Sequence, residues 1–95
     1  MLFRSELVTS FSQRAPALIL QLELAVLKHD LSAIGALGHE LRGMSGMLGA
    51  RLLAEKCLAL ETSANANSLD ELKQRAGELK VAVTATISEI GRAHV

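Results

Sequence analysis

The sequence predicts an all-α protein, an antiparallel four-helix bundle of up-down topology, and three observations carry that prediction. Apolar residues recur at spacings of three and four along almost the whole chain. Leu, Ala, Val and Ile supply most of the 49% hydrophobic content, aromatics only 2%, and there is a single proline, a composition of packed helices. Short polar turns divide the pattern into four segments, so neighbours in sequence are expected to be neighbours in space. At 95 residues the chain suffices for one core, and it reads as a single domain, 1–95, with the core spanning about 3–91.

The first segment runs from Leu2 to Lys28, with Leu7, Phe11, Ala15, Leu18, Leu22 and Ala25 on one stripe. Pro16 lies inside it and removes a backbone donor, so a kinked or broken N-terminal helix is expected near Gln13–Ala15. The stripe keeps its register across Pro16, as one kinked helix or two nearly coaxial ones would. His29 falls in the connection, and Asp30 is placed to cap the next helix. That helix, Leu31 to Leu48, has Ile34, Leu37, Leu41, Met44 and Leu48 on its core face, with Gly49 as the left-handed residue that ends it. A third stripe, Leu53, Cys57, Leu60 and Ala64, ends at the Asn65-Ala66-Asn67 turn. Ser68 and Glu71 have the spacing of a capping box. The last helix aligns Leu69, Leu72, Ala76, Leu79, Val83, Ile87 and Ile90. Gly91 is expected to end it, leaving Arg92 to Val95 as a frayed tail.

Composition excludes several classes of function. The formal net charge is zero, which gives no electrostatic case for nucleic acid or an anionic membrane. Cys57 is the one cysteine, so no internal disulfide forms, and a reducing compartment fits. Arg4 and Glu6 interrupt the only apolar start, and the best apolar run, Ala15 to Leu20, is too short to span a bilayer. A cytoplasmic, monomeric helical domain without membrane insertion is expected.

The stretch from Gly35 to Gly49 stands apart. It holds five of the seven glycines. Gly35, Gly38, Gly43 and Gly46 lie inside the helical pattern, each costing roughly 1 kcal/mol relative to alanine. Their sum is a large share of the roughly 5–15 kcal/mol that separates folded from unfolded chains. On a helical wheel advancing about 100° per residue, His39 points away from the apolar stripe. Ser32, Gly35, Ala36, Arg42, Gly43 and Gly46 lie within roughly 60° of it. Gly38, about 100° away, is a candidate for close helix packing. The outward face is therefore an imidazole and a guanidinium on a surface shaved of side chains.

An exposed imidazole is largely unprotonated at neutral pH and offers a nucleophilic nitrogen. No carboxylate is expected on its face to form a triad, since Glu40 is one step along and about 100° around. Arg42, one turn on, suits phosphoryl oxygens. In-line phosphoryl transfer needs room on both sides of the phosphorus, and the glycines leave it.

The run His39-Glu40-Leu41-Arg42-Gly43-Met44-Ser45-Gly46-Met47-Leu48-Gly49 resembles the signature of histidine-containing phosphotransfer (HPt) domains, usually His-x-Leu-Lys-Gly, a small pair, then an apolar residue and Gly. The resemblance extends to Phe11 and Ala15-Pro16 upstream and to Gly49-Ala50-Arg51, Leu53-Ala54, Cys57 and Leu60-Glu61 downstream. It implies that His39 is the phospho-acceptor, through Nε2, and that Gly43 admits the partner. Arg42 stands where the family usually has lysine and would stabilise the phosphoryl group. Met44 replaces a usually small residue but points toward the core. The implied function is a phosphorelay intermediate that takes a phosphoryl group from a receiver-domain aspartate and passes it to another. Partners would be response-regulator receivers and a hybrid histidine kinase. No intrinsic cofactor is implied, Mg²⁺ coming from the receiver. Gly35, Ala36, Gly43, Gly46 and Met47 would form the docking face.

Two other readings share this face. A non-catalytic adaptor would dock a signalling partner there and be indifferent to His39. Alternatively, the ATP domain of a histidine kinase would phosphorylate His39 directly. No nucleotide-binding motif is present, so the chain reads as a phosphocarrier without kinase activity of its own. His29, His39, Cys57 and His94 lack the paired spacings of zinc sites. Cys57, on the apolar stripe, reads as a small buried hydrophobe. Glu71, Lys73, Arg75, Glu78 and Lys80 read as a solvated helix face.

Overall fold

The computed structural model describes residues 4–66 and 68–94, and over these the chain forms four helices. They are α1 (Arg4–Leu27), α2 (Leu31–Leu48), α3 (Arg51–Ala66) and α4 (Leu69–His94). No strand occurs among the described residues. Each helix packs against its neighbours in sequence, α1 also closes against α4, and no diagonal pair is in contact among the described residues. With connections this short, that ring of contacts is an up-down bundle. The long dimension of 40 Å matches its longest helix, α4, whose 26 residues rise about 1.5 Å each.

The core is the convergence of the four apolar stripes. Phe11, Leu18 and Leu22 of α1, Ile34 and Leu41 of α2, Cys57 and Leu60 of α3, and Leu72 and Leu79 of α4 are fully buried or nearly so. Ile87 and Ile90 pack on the core's rim, half-buried. α1 runs unbroken through Pro16, as one continuous helix rather than two coaxial ones. Pro16 is exposed, so the carbonyl its missing N–H leaves unpaired is near solvent.

Helix ends follow local chemistry. The Asp30 carboxylate accepts from the Ala33 N–H at 3.1 Å and caps α2. Gly49 ends it at φ 81°, with its own N–H donating to Gly46 and that of Ala50 to Ser45, a Schellman pair. α1 closes in the same way around His29, at φ 54°: its N–H donates to Val26 and that of Asp30 to Ala25. His29 thus has a backbone role in the turn. Ser68 Oγ accepts from the Glu71 N–H at 3.4 Å, a long version of one half of the capping box.

Two boundaries differ from expectation. Gly91 does not end α4, which continues to His94, so Arg92 belongs to the helix and not to a tail. Glycine stops a helix when it turns left-handed, and among the described glycines only Gly49 does so. Asn65 and Ala66 belong to α3. Leu2 at the expected start of the first segment, the approximate core boundary at residue 3, Asn67 of the expected turn and Val95 of the expected tail lie outside the described residues. No helix of the described residues is long and apolar enough to cross a membrane.

Candidate functional site

α2 is buried along Ile34, Gly38, Leu41, Ser45 and Leu48. Leu37 and Met44 are only half-buried at the α1 side. The buried stripe is therefore rotated by roughly 40° toward α3 from the purely apolar one, on the same wheel geometry. Small residues explain the rotation. A Cβ on Gly38 would lie 3.1 Å from Glu61 Cγ and 3.5 Å from both the Cys57 carbonyl oxygen and Leu60 Cδ2, so α3 sits where a side chain would be. Ser45, wholly buried, satisfies its hydroxyl by donating to the Leu41 carbonyl at 2.7 Å.

The opposite face is open. His39 has 71% of its side chain exposed. A Cβ on Gly35, Gly43 or Gly46 would meet nothing within 4 Å. Ala36, Gly43, Gly46 and Met47 are exposed, and Gly35 is half-buried. The structure thus brings together on one surface the residues that the wheel assigns to it. Beside Ala36 and Leu37 an open groove runs to Leu24 and Ala25 of α1.

The charged groups are arranged in a way the wheel does not show. Glu40, next to His39 in sequence, turns toward α1 and accepts from Arg14 Nε at 3.0 Å. The carboxylate at the imidazole comes instead from α3: Glu61 Oε1 lies 3.5 Å from His39 Nδ1. Its Oε2 lies 3.2 Å from Arg42 Nε. The expectation that no carboxylate reaches the His39 face holds for α2 alone and is overturned by packing. Glu61 follows Cys57 by one helical turn, at the edge of the α3 stripe that meets α2. No local spacing ties it to His39. The absent side chain of Gly38 lets its stem cross α2.

Arg42 Nη2 is also 3.3 Å from His39 Nδ1. Arg42 is thus shared between the imidazole and Glu61. Beneath them, burial pushes the Cys57 thiol up to about 11, with Glu61 adding to the rise and the Ser45 hydrogen bond and Arg42 opposing it. It is fully buried and protonated at neutral pH, a core group rather than a nucleophile. Among the described residues no three His, Cys, Asp or Glu side chains gather as a metal site.

An exposed imidazole with room on its outer side and a guanidinium at its inner edge can accept an electrophile that carries negative charge. The face is open and does not by itself exclude water. Comparisons with curated proteins and with solved structures return no match. A family model, the Hpt domain, matches residues 6–91. That family is implicated in histidine phosphotransfer in phosphorelays, and its domains are phosphocarriers without kinase activity. The match covers most of the four-helix chain, and the chain belongs to the Hpt-domain family.

Proposed function

We propose that this Hpt domain is a phosphorelay intermediate in which His39 accepts a phosphoryl group from a receiver-domain aspartate and delivers it to another. The observation that supports this most is the open face itself: an imidazole 71% exposed, ringed by glycines whose missing side chains leave empty space. A receiver would dock over Gly35, Ala36, Gly43, Gly46 and Met47. The Met47 side chain, 64% exposed, would give that docking an apolar contact.

In the forward step the Nε2 lone pair attacks phosphorus, the Nε2–P bond forms, and the P–O bond to the aspartyl carboxylate breaks. The carboxylate leaves with the electron pair. Arg42, at the ring's inner edge, is the charge on this chain that would swing to the phosphoryl oxygens. Mg²⁺ held by the receiver would neutralise the rest. The chain's contribution is position and charge, which suffices for a reaction with little covalent chemistry on the protein side.

The test is transfer from a phosphorylated receiver. Acid-labile label should appear on the wild-type chain and be lost in His39→Gln. Label retained by that variant would remove His39 from the reaction. Receiver binding without label on the wild type would favour the adaptor reading.

A further inference from the structure

The side of the bundle opposite α1 and α2 carries an open groove that the site at His39 does not use. It lies between α3 and α4, lined by Leu52 and Lys56 of the first and Gly77, Glu78, Val81 and Ala85 of the second. Leu52 is 68% exposed and Val81 70%. Singly each would be an ordinary surface residue, but here they flank one trough. Gly77, Val81 and Ala85 follow one another at single-turn spacing on α4, and a Cβ on Gly77 would meet nothing within 4 Å. That wall of the trough is therefore low enough to admit side chains from outside.

The charges on the two rims say what kind of surface fits. Lys56 is half-buried and makes no ion pair among the described residues. Across the groove Glu78 shares Arg75 with Glu71, at 3.4 and 3.8 Å, so two carboxylates face one guanidinium. One rim has a cation to spare and the other an anion, so a matching surface must carry the same pair exchanged. This chain has such a surface. α3 and α4 are antiparallel neighbours joined by a short turn, so Lys56 lies level with Glu78, and Leu52 with the stretch between Val81 and Ala85. A two-fold axis running along the bundle exchanges α3 with α4 and keeps every level, bringing lysine to glutamate and leucine to trough twice. The formal net charge of zero adds no repulsion between copies.

We infer that two copies of this chain associate across the α3–α4 groove, about an axis along the bundle, in place of the monomer expected from the sequence. Leu52 of one protomer enters the trough between Val81 and Ala85 of its partner. Lys56 of each protomer pairs with Glu78 of the other, where Arg75 alone had two carboxylates to offset. α3, α4 and their copies form the inner layer of the dimer. α1 and α2 lie on the far side of each bundle and contribute no residue to the groove, so both His39 faces stay open.

Sedimentation equilibrium of the full chain between about 1 and 500 µM covers the affinities open to a modest contact of this kind. The mass should rise with concentration from 10.1 kDa toward twice that value. Val81→Glu puts a charge into the trough and should raise the dissociation constant at least about tenfold. Val81 is exposed, so the helical content read by circular dichroism should not change. Lys56→Glu and Glu78→Lys each set like charges face to face and should weaken association about tenfold, while the two together should restore it to within about threefold. Lys56→Glu breaks no ion pair within the chain, so it decides the pairing even if Glu78→Lys disturbs Arg75. A chain that stays monomeric throughout that range overturns the dimer and leaves the groove to a different partner. Association that Val81→Glu leaves intact runs through another surface and overturns the groove. Association indifferent to Lys56→Glu, or a folded double variant that fails to recover it, overturns the two-fold pairing. None of these readouts depends on phosphotransfer.

Discussion

Gly38 and Gly43 belong to the same helix and carry the same intrinsic penalty, yet the space around them is opposite. At Gly38 a Cβ would lie 3.1 Å from Glu61 Cγ, whereas at Gly43 it would meet nothing within 4 Å. The first glycine brings α3 close enough for Glu61 to reach the imidazole. The second does nothing for the packing of the free protein. Gly43 is a helix-weakening residue whose missing side chain faces open space, and it lies one turn from the exposed His39. The α3-facing edge of α2 is thus closed by packing, while the outward face is left open, as docking of a receiver under the proposed function requires.

Substitutions on the two faces should therefore separate stability from transfer. Gly43→Leu has the largest expected effect: transfer from a receiver should fall at least about a hundredfold, while unfolding free energy stays level or rises by up to about 1 kcal/mol. Labelling rates and denaturant midpoints measured together check both halves. Undiminished transfer would mean that the face is not where the partner sits. Gly38→Leu should do the reverse, lowering stability by roughly 2 kcal/mol or more because α3 must move to admit the side chain. A stability equal to wild type would show that the close approach is dispensable.

The buried edge should also announce itself through pH. The Cys57 thiol is raised from the ordinary 9.0 to about 11, so it ionises more readily in the unfolded chain than in the folded one. Stability from this group is complete below pH 9.0 and is lost as pH rises toward about 11, by up to roughly 2–3 kcal/mol. Chemical denaturation across that window should show a slope that Cys57→Ala reduces. A slope identical in the variant would assign the loss to other groups.

The smallest contrast is between alanines. Gly46→Ala should stabilise by up to about 1 kcal/mol, since its side chain enters open space. Gly38→Ala should gain less, because Glu61 must give way by a few tenths of an ångström. Equal gains at both positions, read from thermal or denaturant unfolding, would erase the distinction between the faces.

Four amphipathic segments, their caps at Asp30 and Gly49, and the outward direction of His39 were all legible in residue order. Helical periodicity, capping and side-chain direction are local properties, repeated every few residues, and local rules read them. The end of α4 was misread because Gly91 lies late in a helix without turning left-handed. Buried Ser45 on the core side of α2 was likewise hidden, since a small polar residue carries no hydrophobic signal.

What the residue order alone determined about this protein is the bundle, the helix that carries the imidazole, and the emptiness around it. Only the tertiary structure decided which carboxylate faces that imidazole. Glu40 is adjacent in sequence yet turns to Arg14 on α1, while Glu61 arrives from α3 across Gly38. The reason is physical: the wheel fixes directions around one helix axis, but the distance between two axes is set by which side chains are missing where they meet.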